Sequence, residues 1–219
     1  MEYHKIETLF IRDEITHKVY PGKLKNAVYG IFKSWEFTEK IDGINIRVIW
    51  EPALVESDGK CRPERLSFGG KTDNAQLHAD LVTWLYDHIT VEKMRSVFPD
   101  VDAVIYGEGY GPGIQKGGGN YSKTKQFIVF DVLVDHKWWL NWENTCDVAS
   151  KLELKTVPFV GTMTLEEGVA TVKAGFSSVL AFEQTGITTP AEGLVGRTIE
   201  VLFDKKGHRI IIKLKTKDF

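Results

Sequence analysis

The sequence predicts a mixed α+β fold with mostly antiparallel sheets flanked by helices. Apolar and polar side chains alternate over residues 44–51, INIRVIWE, as in a strand with one buried face. Apolar residues recur at helical spacing over residues 77–98. The chain ends in two extended runs around a turn at residues 204–207, a pattern typical of a hairpin.

The remaining elements follow in chain order, with no repeats. After the first strand comes a polar loop containing Asp58-Gly59 and a second strand at 65–68. Asp73 is expected to cap a helix that carries the apolar pattern to residue 98, and Thr164 with Glu167 makes a capping box for a later helix. Further strands are predicted at 103–108 and 126–134, a helix at 143–152, and a terminal hairpin of 198–203 with 208–215.

Composition limits the classes of function. A chain of 219 residues with 42% apolar side chains can bury a substantial core, and we expect one domain over residues 1–219. The net charge of -2 means that a polyanion must be held by a local cluster of cations. Cys61 and Cys146 lack the spacing of a disulfide framework or a zinc knuckle. With no apolar run of roughly 20 residues and no signal peptide, we expect a cytoplasmic protein without membrane contact.

Lys40 is the first candidate for chemistry. It precedes an Ile-Asp-Gly turn and the strand at 44–51, although a solvated lysine at a hairpin tip would fit the same pattern. Gly70-Lys71-Thr72 resembles the end of a P-loop, but the first glycine of that motif would fall on Arg65, which excludes it.

Four later stretches are ambiguous when each is taken alone. Glu108 lies among glycines that would let a ligand approach the backbone, and Glu192 precedes another glycine. Apolar side chains of residues 127–134 suit a core, with one ring available for stacking on a base. In the last strand Lys213, Lys215 and Lys217 share one face, which suits a solvated edge strand or a bound polyanion.

Taken together and in this order, the stretches resemble the five motifs of the covalent nucleotidyltransferase superfamily, which contains DNA ligases, RNA ligases and capping guanylyltransferases. The motifs are Lys40-Ile41-Asp42-Gly43, Tyr106-Gly107-Glu108, residues 127–131, Glu192-Gly193 and Lys213-Leu214-Lys215. Asn45 and Arg47 after the first motif are closer to ATP-dependent RNA ligases of the RNA ligase 2 type.

The resemblance implies a nucleotidyltransferase adenylation domain that uses ATP and Mg²⁺ or Mn²⁺. Lys40 would attack the α-phosphorus to form lysyl-AMP, Lys213 and Lys215 would meet the α-phosphate, and nearby cations would lower the pKa of Lys40. AMP would then pass to an RNA 5′-phosphate, and a 3′-hydroxyl would seal the strand.

The other roles also come from the resemblance. Glu108 would accept from the ribose hydroxyls, Phe130 would stack on adenine, with Phe127 left open, and Glu192 would hold the metal through water. Backbone groups near Glu39 would contact the adenine edge, and Asn45 and Arg47 would contact phosphate or metal-bound water. Lys71 stands where many relatives have arginine, so its contact to ribose or phosphate lacks the bidentate fork.

Alternatives remain at this stage. The same lysine would serve a GTP-using capping enzyme or a ligase that accepts DNA, and a non-catalytic nucleotide- or RNA-binding module would keep the fold alone. We expect no separate OB-fold or helical domain within the chain, and a monomer.

Overall fold

The computed structural model describes residues 1–16, 18–55 and 60–219, so the expected loop at Asp58-Gly59 lies outside the described residues. The chain divides into two compact units. Unit 1 comprises Met1–Tyr3 and Asp42–Thr156, and unit 2 comprises His4–Ile41 and Val157–Phe219. None of the helices in the described ranges has the length and apolar character to cross a bilayer.

The described residues form fourteen strands and five α-helices. The strands are β1 (Glu7–Thr8), β2 (Phe10–Arg12), β3 (Val19–Leu24), β4 (Trp35–Glu39), β5 (Ile44–Glu51), β6 (Leu54–Val55), β7 (Cys61–Arg62), β8 (Arg65–Gly69), β9 (Ala103–Tyr110), β10 (Gln126–Val134), β11 (Trp138–Trp139), β12 (Phe159–Met163), β13 (Gly193–Arg197) and β14 (Ile211–Lys215). The helices are α1 (Ala79–His88), α2 (Val91–Val97), α3 (Trp142–Lys151), α4 (Leu165–Ala174) and α5 (Val179–Thr185). The predicted α+β class is confirmed.

Unit 1 is built on an antiparallel sheet with the order β11-β10-β9-β5-β8. The alternation predicted for β5 is confirmed, because Ile46, Val48 and Trp50 are buried in one cluster with side chains of α1, α2 and α3. The indole N–H of Trp50 donates to the Phe98 carbonyl at 2.8 Å, so the largest ring of this core has its polar atom satisfied. The opposite face of the sheet carries the polar side chains of β5 and β9.

Unit 2 contains the second sheet, with the order β1-β14-β13-β4-β12. Its pairs are antiparallel except for β1, which lies parallel to β14. Ile212 and Leu214 of β14 are buried with Phe37 and Leu194, as alternation in the last strand predicts. The capping box is confirmed, since the Glu167 amide donates to Thr164 Oγ1 at 3.2 Å and the Thr164 amide to Glu167 Oε2 at 2.8 Å.

The helix expected after Asp73 is different in the structure. It begins at Ala79 with His78 as N-cap, because the Asp73 carboxylate pairs with the Arg47 guanidinium 2.8 Å away and is not available as a cap. The apolar pattern also divides into two helices, since the chain leaves α1 at Ile89 and Thr90 caps α2 by accepting from the Lys93 amide.

The prediction of a terminal hairpin is wrong for its first strand, residues 198–203. β14 pairs with β13, and residues 198–203 contribute only an isolated bridge between Phe203 and Arg209. Their apolar side chains are too exposed to form a core face, with Ile199 and Phe203 each 48% exposed. The turn is confirmed by a hydrogen bond of 2.9 Å from the Gly207 amide to the Asp204 carbonyl. The sequence did not predict α5, β12 or β13, nor the short strands β1–β4, β6, β7 and β11.

Gly193 is required where β13 begins. Its φ is +153°, and a Cβ at this position would lie 1.9 Å from the Leu214 carbonyl oxygen. The close approach of the two backbones therefore depends on the absence of a side chain.

We expect Gly193→Ala to lower the free energy of unfolding by about 3 kcal/mol through backbone strain and the clash with Leu214. Gly207→Ala is the matched control, because Gly207 also has positive φ (+80°) but has open space around its Cα; it should lose only about 1 kcal/mol. Urea unfolding of both variants measures the difference, and equal losses would contradict the role of the close approach.

Candidate active site

Lys40 follows the last residue of β4 and is fixed by its backbone. Its amide donates to the Gly193 carbonyl at 2.9 Å, which joins it to the start of β13. Its side-chain Nζ lies 2.5 Å from Glu192 Oε2. Because both contacts are made to consecutive residues, the Lys40 ammonium and the Glu192 carboxylate are held together by the sheet itself.

Glu192 is shared by two lysines. Its other oxygen, Oε1, lies 2.7 Å from Lys215 Nζ, and the β13–β14 register places Lys215 opposite Gly193. Burial by itself raises the pKa of the Glu192 carboxyl, but the charges and hydrogen bonds of Lys40 and Lys215 outweigh it and hold that pKa below its ordinary value. The carboxylate is thus ionised and bridges both ammonium groups.

Lys213 projects from the same face of β14 as Lys215 and is partly buried. Desolvation, followed by the positive charges of Lys215 and Lys40, lowers the pKa of Lys213 to about 8. The structure therefore brings Lys40, Lys213 and Lys215 into electrostatic contact, as the motif resemblance implied. Lys40 and Lys215 share the Glu192 carboxylate, and Lys213 adds a third positive charge beside them, which suits a phosphate ligand.

Glu39, the residue before Lys40, is turned into the protein. Its side chain is 1% exposed and accepts from the Ser178 hydroxyl and from the amides of Val179 and Leu180 at 2.9 and 3.3 Å. Burial raises the pKa of this carboxyl despite these hydrogen bonds. Its amide donates to the Pro158 carbonyl at 2.8 Å, so this N–H is engaged within the protein.

In unit 1, Asn45 and Glu108 are cross-strand neighbours on β5 and β9. The Oδ1 atom of Asn45 is buried and accepts no hydrogen bond from any residue that the structure describes. A buried acceptor of this kind costs free energy unless a ligand, an ion or water satisfies it. Asn45 therefore fits the predicted contact to a ligand.

Arg47 lies on the same strand face, two residues after Asn45, and is 2% exposed. Its Nε donates to the Gly70 carbonyl at 2.7 Å, and its guanidinium pairs with Asp73. These contacts shape the loop that presents Lys71, whose side chain is exposed. In this structure Arg47 holds the loop, and its predicted contact to phosphate or metal-bound water stays a prediction.

Phe127 and Phe130 lie on different faces of β10. Phe127 is buried in the helix-covered core of unit 1. Phe130 lies at a β-bulge between Val129 and Asp131, and its ring lies 5.1 Å from the ring of Tyr3. Of the two rings left open by the sequence, Phe130 is therefore the one outside the core.

The described residues contain no cluster of three or more histidine, cysteine, aspartate or glutamate side chains that would hold a metal by themselves. Mg²⁺ is commonly bound by one or two carboxylates together with water and substrate phosphates. Glu192 is a hard oxygen donor of the appropriate kind, but both of its oxygens are engaged by lysines. A metal at Glu192 would compete with these ion pairs.

The RNA ligase family model matches residues 33–215, which contain all ten predicted site residues. This chain belongs to the RNA ligase family. No curated protein matches the sequence.

Solved structures of the Naegleria gruberi RNA ligase share the fold. A mutant with ATP and Mn has a TM-score of 0.63 at 18% identity over 97% of this chain and 60% of that chain. A mutant with AMP and Mn has a TM-score of 0.63 at 17% identity over 97% and 61%, and the protein with PPi has 0.62 at 17% over 98% and 62%. The chain spans about three-fifths of the length of these proteins, and the likeness shows a nucleotidyltransferase fold.

Two features near the site escaped sequence reasoning. Ser178 holds Glu39, but an isolated serine before an unrecognised helix gave no indication of it. Tyr3 packs beside Phe130, although the first residues showed no pattern. Both contacts join residues more than a hundred positions apart.

We expect Lys213 to titrate near pH 8 in NMR of the ¹³C-lysine-labelled protein, and Lys215→Met to move its pKa upward by removing a like charge. An unfolded lysine keeps its proton to about pH 10.5, so between the two pKa values Lys213 makes stability rise with pH. Lys205→Met, a change at an exposed lysine of the turn, is the control. An ordinary pKa for Lys213 in the wild-type protein would contradict the arrangement.

Proposed function

We propose that the chain is the adenylyltransferase domain of an ATP-dependent RNA ligase that acts through a lysyl-AMP intermediate. The observation that carries this proposal is the sharing of one carboxylate, Glu192, by Lys40 and Lys215, with Lys213 beside them. The fold by itself does not require three lysines close together, whereas attack on a nucleotide α-phosphate does. Residues 1–219 would act as one domain.

The first step places the Lys40 amine on the α-phosphorus of ATP. A P–N bond forms, the bond to the bridging oxygen breaks, and pyrophosphate leaves with the electron pair. The ammonium must first lose its proton, because only the neutral amine carries the electron pair that attacks phosphorus. Lys40 Nζ lies 2.5 Å from Glu192 Oε2, and we infer that Glu192 orients this side chain and releases it before attack.

Lys213 and Lys215 would stabilise the charge that develops on the α-phosphate. Lys215 is held by Glu192, which fixes the direction of its ammonium group. Lys213, with its lowered pKa, gains most from an anionic ligand, because a phosphate restores the charged form that burial disfavours. The two lysines thus differ before the nucleotide binds: Lys215 is paired with a carboxylate, whereas Lys213 has a lowered pKa.

Unit 1 would supply the contacts to the nucleoside. Glu108 would accept from the ribose hydroxyls, Phe130 would stack on adenine, and the unsatisfied Oδ1 of Asn45 would meet a ligand or ion. Lys71 lies in the loop that Arg47 holds. Its ammonium would contact a phosphate or the ribose as a single point charge. Backbone groups near Glu39, which belongs to unit 2, would contact the adenine edge.

A divalent cation, Mg²⁺ or Mn²⁺, would neutralise phosphate charge during the transfer. Glu192 would hold the metal through water, because Mg²⁺ prefers hard oxygen donors, and Asn45 would contact phosphate or metal-bound water. The Naegleria gruberi mutants crystallised with ATP and Mn support this choice of substrate and cation. The acceptor would be an RNA 5′-phosphate, sealed by a 3′-hydroxyl with release of AMP, and the protein would act as a monomer.

Incubation with ATP and Mg²⁺ should increase the intact mass by one AMP, and Lys40→Ala should abolish the increase, because no other amine would be aligned with the α-phosphorus. Lys5→Ala, a change at a lysine that is exposed, is the matched control and should keep the adduct. A GMP adduct from GTP would favour a capping enzyme. An absence of adduct with either nucleotide would overturn the proposal in favour of a non-catalytic module.

Glu192→Gln should slow adduct formation about a hundredfold, since the amide keeps the shape but loses the charge that orients Lys40 and Lys215. Glu153→Gln is the control, because Glu153 also pairs with a lysine, Lys93, at 2.6 Å but lies outside the site. Single-turnover kinetics measure both variants. Equal rates for the two would show that the Glu192 bridge has no part in the reaction.

A further inference from the structure

The first three residues belong to unit 1, although the chain from His4 belongs to unit 2. Tyr3 is 8% exposed, and its ring lies 4.9 Å from that of Tyr106, which is the cross-strand neighbour of Arg47. The Tyr106 hydroxyl donates to the Met1 carbonyl at 3.0 Å. The N-terminus is therefore anchored on the sheet face that carries the predicted nucleoside contacts.

Tyr3 contacts both residues of the Phe130-Asp131 pair. Its hydroxyl donates to Asp131 Oδ2 at 2.8 Å, and Asp131 is fully buried. The other oxygen of Asp131 accepts from the Val132 amide at 3.2 Å. The ring of Tyr3 meets that of Phe130 at 5.1 Å with 70° between the planes, and that of Trp139 at 5.6 Å and 83°.

Phe130 depends on such contacts for its orientation. It is the extra residue of the β-bulge, since the β9–β10 register passes directly from Val129 to Asp131. The Tyr3 ring meets the Phe130 ring nearly at a right angle, and Phe130 is only partly buried. Tyr3 thus holds the ring of a residue that is still partly accessible.

We propose that Tyr3 is a positioning residue for recognition of the nucleotide base, acting through the ring of Phe130 and the carboxylate of Asp131. The inference rests on the proposed function, in which Phe130 stacks on adenine. The hydroxyl holds the bulge through Asp131, and the ring holds the angle at which Phe130 meets the base. Stacking on the base is weaker when the Phe130 ring can rotate freely, because the ring must then lose that freedom when the nucleotide binds.

Steady-state adenylylation kinetics and calorimetry with ATP test this role. Tyr3→Leu should raise the KM and the Kd for ATP about tenfold with little change in kcat, since one aromatic contact and one buried hydrogen bond are lost. Tyr3→Phe, which keeps the ring, should raise both about threefold. Tyr20→Phe is the matched control: it also removes a tyrosine hydroxyl that donates to an aspartate, Asp13, but at an exposed place in unit 2.

Two further measurements separate positioning from general destabilisation. Binding of tripolyphosphate, which has no base, should be unchanged in Tyr3→Leu. In a Phe130→Leu background, Tyr3→Leu should raise the KM by about twofold or less, because the two side chains act as one unit.

Additive effects in the double variant, or equal losses for ATP and tripolyphosphate, would overturn the proposal. If Tyr3→Leu does not fold, the same comparison is made with Tyr3→Phe, alone and combined with Phe130→Leu, using the KM for ATP and the binding of tripolyphosphate. A wild-type protein that forms no AMP adduct would overturn the proposed function, whereas calorimetry with ATP would still show whether Tyr3 acts on base binding. An adduct in the wild type with unchanged ATP affinity in both Tyr3 variants would overturn this inference alone.

Discussion

The Glu192 carboxylate between the ammonium groups of Lys40 and Lys215 is the interaction on which the candidate site of unit 2 depends. Each of the three side chains is about one-fifth exposed, so their charges are only partly screened by water. Removing Glu192 would leave two ammonium groups side by side without a compensating charge. Three neighbouring strands are held in one register by their hydrogen bonds, which is why these groups can remain so close.

The sheet of unit 2 converts distant sequence positions into this arrangement. Lys40 directly follows β4, β13 begins just after Glu192, and β14 carries Lys213 and Lys215, so the two antiparallel pairings bring these residues to one place. The glycine after Glu192 allows the close approach of β13 and β14. On the other face of the sheet the same strands bury Leu194, Ile212 and Leu214, and this burial stabilises the strand register.

The predicted site residues of the two units differ in kind. Those of unit 2 concentrate charge, whereas those of unit 1 include a ring, an amide and a carboxylate. Arg47 is buried and bonded to Gly70 and Asp73, and in this structure it supports a loop. Tyr3, in a stretch without a recognisable pattern, lies against the ring that is predicted to stack.

The sequence by itself determined the fold class, the strands with one buried face and the ten candidate site residues, because alternation, capping and motif spacing are local properties of the chain. It misplaced the start of α1 and the partner of β14, and it missed α5 and β12. Asp73 was predicted to cap α1, but its carboxylate pairs with Arg47, which is distant in sequence. Only the tertiary structure decided that Lys40 and Lys215 share Glu192, that Phe130 lies outside the core of unit 1, and that Tyr3 packs against its ring. These contacts depend on strand register and on long-range packing, and neither is encoded in any short stretch of residues.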